Sequence, residues 1–235
     1  MTIIYILLAI LLFGVLIAVH EFGHFTAAKL CGVRVEEFAI GMGPAILKKQ
    51  KGETLYSLRC VPVGGFCAMT GEDEASDDPR AFTSQAVWKR LIILAAGSFM
   101  NFLLGLLIVV CLYAGAAAFR APVIEGFMDG CPYESAQGFQ AGDRILSIDG
   151  HSIYQYSDVG DFLARGDGTY DIVVRRDGKR VELEDFKLVP LEYPGQENKM
   201  YGLYFGYDEA NFPNLMRYSW NTTMEFGRWV WMGLE

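Results

Sequence analysis

Two stretches of this chain, Ile3 to Val19 and Leu91 to Phe119, contain no charged residue. Crossing a hydrocarbon layer takes roughly 20 apolar helical residues. The second stretch is long enough alone, and the first continues through His20-Glu21-Phe22-Gly23-His24 to Ala28. A cleaved signal peptide would open on Lys or Arg and close on a small-residue site. Met1-Thr2-Ile3-Ile4 carries no basic residue, and the run passes straight into His and Glu. A retained membrane helix is therefore expected over 1–30 and a second over 91–119. Arg120 to Phe212 has water-soluble composition.

Charge placement orients these spans. Lys29 and Arg34 follow the first, Lys48, Lys49 and Lys51 lie between them, and Lys89 and Arg90 precede the second. By the positive-inside rule the 31–90 segment is cytoplasmic, with the N-terminus and the soluble stretch outside. A net charge of −8 and the lack of a Lys/Arg stripe argue against a nucleic-acid partner. Five scattered cysteines without CxxC spacing read as free buried thiols.

Between the spans, "ETLYSLRCVPVGGFCAMTGE" alternates and is rich in β-formers, predicting a short hairpin or edge strand where Pro62 and Gly64 are tolerated. "GEDEASDDPRAFTSQ" reads as a solvated acidic loop. In the second span Asn101 needs a hydrogen-bond partner, while Gly97 and Ser98 permit close helix packing. The stretch 120–190 reads as a small β-rich domain: a strand in "AGDRILSIDG", a short helix in "SDVGDFLARG", and two strands joined at Asp177-Gly178. The segment 191–235 reads as a linker and an amphipathic tail, ending "RWVWMGLE" where a further span would start.

The chemistry concentrates at His20-Glu21-Phe22-Gly23-His24. Histidines four apart share one helix face, so both imidazoles can reach one ion. Glu21 is turned about a hundred degrees away and is free to act as a base. Zinc would make water nucleophilic near neutral pH and polarise a scissile carbonyl. HExxH also arises by chance. Ionisable groups at a bilayer edge are costly, however, and are usually functional.

The chain resembles the site-2 protease family of intramembrane zinc metalloproteases, in its bacterial branch with an extracytoplasmic PDZ domain. The matching pieces are "VHEFGHFTAAKLCGVRVEEFAIGMGP", "VPVGGFCAMTGE", "AAGSFMNFLLG" and "AGDRILSIDG", in family order along nearly the whole chain. The resemblance implies an α+β membrane protein: transmembrane helices bearing HExxH, a membrane-associated β-hairpin and a PDZ-like domain. It implies His20 and His24 as Zn2+ ligands and Glu21 as catalytic base. Val63, Gly64, Gly65 and Phe66 would hold an extended substrate, with Asn101 beside it. Ser98 stands where many members have Pro.

The family's third ligand is an Asp in an "LDG" motif on a later membrane helix, and these residues contain no such motif. The chain is therefore expected to be the N-terminal part of a family protein, in a bacterial cytoplasmic membrane. Its expected role is hydrolysis of single-pass membrane substrates in regulated intramembrane proteolysis, such as anti-sigma factors or remnant signal peptides. The PDZ-like domain would filter substrates or bind a peptide C-terminus. The alternative is a membrane-tethered PDZ binding module without catalysis. A soluble zincin is disfavoured by the second uncharged run.

Overall fold

The computed structural model describes residues 2–74 and 76–232, in two compact units that meet in sequence at Ile108 and Val109. The first unit contains helix α1 (Thr2–Cys31), strands β1 (Val35–Lys51) and β2 (Thr54–Met69), and most of helix α2 (Val87–Tyr113). Both helices are long and apolar enough to cross a membrane. They bury almost nothing along most of their length, and only small residues and Ile93 are enclosed: Gly23, Ala27 and Ala28 on α1, Ile93 and Gly97 on α2. Small residues let helix backbones approach closely where lipid gives no hydrophobic drive for association.

The second helix differs from the expected 91–119. It begins at Val87, so Lys89 lies in its first turn, where its ammonium donates to the Cys31 carbonyl at 3.0 Å and caps the end of α1. It ends at Tyr113, and Ala118 and Phe119 pair with Glu209 and Asp208 as strand. An uncharged run does not by itself separate a membrane helix from the buried strand that follows it.

Of the two forms expected for 53–72, the structure shows a strand, in a hairpin with β1 that turns at Gly52 and Glu53. The hairpin curls on itself. Phe38 pairs with Tyr56 on one side and Cys67 on the other, so the first part of β1 lies between the two halves of β2. The Gly65–Met69 part of β2 is left at an edge of the curled sheet. A core of Ala28, Val33, Val35, Phe38, Cys67 and Ile93 fastens sheet to helices. Of the cysteines, all free, Cys67 is buried, whereas Cys60 and Cys111 are exposed, unlike the expected buried thiols. Cys60 lies between the two paired halves of β2, and Cys111 is on an exposed face of α2.

In the second unit the strands β3 (Ala118–Phe127), β4 (Arg144–Ile148), β6 (Thr169–Arg176), β7 (Lys179–Lys187) and β8 (Leu203–Glu209) form a sheet in the order β7-β6-β4-β3-β8. The short β5 (His151–Ser152) pairs with β4. Helix α3 (Tyr156–Leu163) and helix α4 (Phe212–Met232) complete the unit. Asp177 and Gly178 turn with φ of 49° and 78°, the mirror-image turn that matches strand twist. The core holds Ile124, Phe139, Ile145, Ile148, Ile172 and Val174.

Beside that core the fully buried Asp143 accepts two hydrogen bonds from Arg176, Nε at 2.8 Å and Nη2 at 2.7 Å, and one from the Gln140 amide. The β-rich unit extends past the expected limit at 190. The segment expected as a linker contributes β8, which pairs with β3 and so belongs to the sheet. Gly233 to Glu235, where the further span was expected to start, lie outside the described residues, as does Ala75 in the acidic loop.

Candidate active site

His20, Glu21 and His24 lie on α1 at the level where α2 crosses closest. A Cβ on Gly23 would collide with the Ala96 carbonyl oxygen, so that crossing admits no side chain there. One turn of helix brings the two imidazoles together: His20 Nε2 and His24 Nε2 are 3.2 Å apart. The spacing alone predicts a shared face, and the structure shows that the same nitrogen of each ring faces inward.

The far side of the His24 ring fixes which of its nitrogens is free. His24 Nδ1 lies 2.7 Å from the Ile93 carbonyl oxygen. A carbonyl only accepts, so Nδ1 carries the proton and Nε2 presents its lone pair. His20 Nδ1 lies 3.4 Å from the Asn101 amide, whose oxygen is buried without a hydrogen-bond partner. Turning that amide end for end lets the oxygen accept from His20 Nδ1–H and frees the second Nε2. Asn101 thus sits against a histidine.

Two lone pairs directed into one space repel unless a cation lies between them. Two nitrogens at 2.0–2.1 Å from one tetrahedral zinc are separated by roughly 3.3 Å. The observed 3.2 Å matches that bite. Space exists in front of the pair because residue 97 is glycine. A Cβ there would stand 2.5 Å from His24 Nε2 and 2.6 Å from His20 Nε2. The histidine pair therefore fits a tetrahedral metal. Among the described residues, no group of three or more His, Cys, Asp or Glu is placed to hold one.

Glu21 and His24 line one cavity of about 540 Å3, together with Phe66, Cys67, Glu72 and Asp73 among others. Strand β2 passes close by: a Cβ on Gly65 would be 3.4 Å from Glu21 Cγ and 2.9 Å from the Ala39 carbonyl oxygen. Phe66 stacks beneath the Arg59 guanidinium, 4.7 Å from the ring centre. Gly64 adopts φ of 89° against the Met42 side chain, and Val63 is half-buried. Of the four strand residues expected at the site, Phe66 lines the Glu21 cavity and Gly65 lies against the Glu21 side chain.

Sequence reasoning missed three features. Glu72 and Asp73 are exposed, as expected of a solvated loop, and they also line the cavity. Partial desolvation lifts the Glu72 carboxyl above the ordinary range, Asp73 and Glu21 add to this, and a hydrogen bond to Met69 opposes it. The Ile93 carbonyl leaves no signal in the sequence because it is backbone. Gly97 was read as a packing residue only, although its proximity to both histidines is more specific.

The second unit holds a groove of about 240 Å3 between α3 and β8, lined by Val159, Leu163, Met200, Gly202, Leu203 and Phe205. Tyr156 meets Phe205 edge to face at 5.0 Å. Strand β8 ends the sheet order, so its outer backbone edge borders this groove.

A profile of peptidase family M50 matches residues 8–226. The chain belongs to peptidase family M50. Among relatives, a provisionally named zinc metalloprotease of Clostridium acetobutylicum is 39% identical over 83% of this chain and 56% of its own length. One of Clostridium perfringens, with the same kind of name, is 43% identical over 69% of this chain and 48% of its own. Another, from Fusobacterium nucleatum, is 35% identical over 75% and 53%. The chain spans about half the length of the curated M50 relatives it matches. The M50 match covers most of α1 with its histidine pair, all of α2 and the sheet of the β-rich unit.

Proposed function

We propose that this chain carries the first part of the active site of an intramembrane zinc metalloprotease. The observation that carries the reading is the 3.2 Å separation of the two Nε2 atoms opposite Gly97. His20 and His24 would hold Zn2+, with a third ligand from a later segment of the whole protein. The metal would supply polarisation of the scissile carbonyl and a water acidic enough to attack it near neutral pH.

The chain's own residues do the rest. Glu21 takes the proton of the attacking water and returns it to the departing amine. Its place beside Gly65 puts it next to the open edge of β2. An extended substrate segment adds to that edge through backbone hydrogen bonds, which suits a transmembrane helix that must unwind to be cut. Asn101 and the Ile93 carbonyl hold the rings in the tautomer that leaves Nε2 free.

By the positive-inside rule the 31–90 segment faces the cytoplasm and the β-rich unit lies outside, in a bacterial cytoplasmic membrane. We read that unit as PDZ-like, its groove between α3 and β8 receiving a peptide C-terminus by strand addition. Single-pass substrates already trimmed outside fit this arrangement, which is the chemistry of regulated intramembrane proteolysis.

The test uses the full-length gene product, purified in detergent, with metal content measured and a co-expressed single-pass reporter followed for cleavage. Glu21→Gln is expected to keep zinc and lose cleavage, and His20→Ala to lose both. Cleavage that survives Glu21→Gln would sink the reading. No cleavage by the unaltered protein, with peptide binding at the β-rich unit, would favour the tethered binding module.

A further inference from the structure

A groove of about 380 Å3 lies among the end of α2, the start of β3, the start of α3 and the middle of α4. Its walls include Tyr113, Arg120, Gln155, Tyr156, Tyr218 and Glu225. Tyr113 is the last residue of α2, and its hydroxyl shares a 3.1 Å hydrogen bond with Thr222 of α4. Where a membrane helix ends its apolar run, hydrocarbon gives way to headgroups, and tyrosine rings favour that boundary. Three of them line this groove.

The groove carries two opposite charges that do not meet. The Arg120 guanidinium lies over the Tyr156 ring, 4.3 Å from its centre. Glu225 accepts from Gln155 Nε2 at 2.7 Å and from Ser157 Oγ at 3.2 Å. The neighbouring ion pairs join Asp208 to Arg144 and Arg217, and Asp158 to Arg228. Among the described residues, neither Arg120 nor Glu225 takes part in one.

The carboxylate is held in place by a built network. Gln155 is buried, and while its amide nitrogen serves Glu225 its oxygen accepts from Thr222 Oγ1 at 3.3 Å. Each Glu225 oxygen has taken one hydrogen bond and keeps a lone pair for another. The Arg120 guanidinium keeps a planar fork of N–H donors that suits phosphate.

A cation and an anion on one groove, neither neutralised by the other, match a ligand that carries both charges. At the surface of a bilayer that ligand is a zwitterionic phospholipid. Glu225 narrows the choice, because a carboxylate favours a nitrogen with hydrogens to give. The ammonium of phosphatidylethanolamine has them. The methylated nitrogen of phosphatidylcholine has none.

We propose that this groove binds the headgroup of phosphatidylethanolamine, with the phosphodiester at Arg120 and the ammonium at Glu225. The inference rests on the reading of α2 as a membrane span and is independent of the zinc chemistry.

The experiment titrates lipid into the full chain in detergent and counts bound lipids by native mass spectrometry. Phosphatidylethanolamine is expected to bind about tenfold more tightly than phosphatidylcholine with the same acyl chains. Glu225→Gln keeps the size of the side chain and an oxygen for Ser157, and should erase that preference while leaving phosphatidylcholine binding as it was. Arg120 is exposed, so Arg120→Gln disturbs no core. It should weaken both lipids alike, again by about tenfold.

Equal affinity of the unaltered protein for the two lipids overturns the proposal, as does a preference that survives Glu225→Gln. Loss of both lipids in Glu225→Gln also overturns it, because the carboxylate would then support the groove instead of reading the ammonium. Displacement of the lipid by inorganic phosphate as readily as by glycerophosphoethanolamine would make this a plain anion site and sink the idea. Alkaline carbonate washing of vesicles that carry the chain tests the span by itself. Release from the vesicles would fell the span and the inference together. Retention without an ethanolamine preference would fell the inference alone.

Discussion

A methyl group on Gly97 would stand 2.5 Å from His24 Nε2, closer than any unbonded carbon and nitrogen can rest. The space in front of the histidine pair exists only because that residue has no side chain. Gly97→Ala is therefore expected to turn at least one imidazole away. Zinc affinity of the full-length protein should fall by about 10–100-fold, the scale seen when ligand orientation is lost. Competition with a chromophoric chelator would measure it. Unchanged affinity would mean that the two rings do not bind through these nitrogens.

Asn101→Leu removes the amide that faces His20 Nδ1. The same chelator titration should show weaker zinc binding, again by about 10-fold or more. Asn101→Asp restores an acceptor for Nδ1–H and should recover most of the loss. If both variants bind zinc normally but raise KM for a reporter substrate, Asn101 contacts substrate instead.

Arg176→Ala leaves the fully buried Asp143 without its bidentate partner. Stranding one member of a buried pair costs about 3–5 kcal/mol. Thermal unfolding of the β-rich unit, followed by far-UV circular dichroism, should begin well below that of the unaltered protein. A shift of only a degree or two would show that water reaches Asp143.

Acid should loosen the junction between β8 and α4. Burial opposes ionisation of Asp208, but the Tyr218 hydroxyl at 2.8 Å and the Arg144 guanidinium at 2.6 Å outweigh it and hold the carboxyl below its ordinary value of 3.8. A carboxylate held low in the folded state contributes stability that is complete above its unfolded value and is lost as pH falls through the folded one. Unfolding between pH 5 and 2.5 should therefore steepen below about 3.8 and flatten in Asp208→Asn. Identical profiles for the two proteins would rule this pair out as the source.

The expected hairpin at Asp177-Gly178 is found in the structure, and the short helix expected in 157–166 is found at Tyr156–Leu163, because turn chemistry and helical periodicity are local. The shared face of His20 and His24 was equally legible, since a spacing of four fixes it within any helix. Elements that depend on a distant partner were not. Strand β8 was read as linker because its only warrant is pairing with β3, more than seventy residues earlier. Glu72 and Asp73 were read as solvated and are exposed, but nothing near them in sequence says that they also line a cavity.

The sequence by itself determined two apolar helices, a histidine pair on one of them and a β-rich unit after the second. Periodicity and composition act over one or two turns and carry that much. Only the tertiary structure decided that the facing nitrogens of the two rings lie against Gly97, that Ile93 and Asn101 sit behind the rings, and that β8 pairs with β3. Each of these depends on which backbone atoms of another element come within hydrogen-bond or van der Waals reach. A chain read one residue at a time does not encode that distance locally.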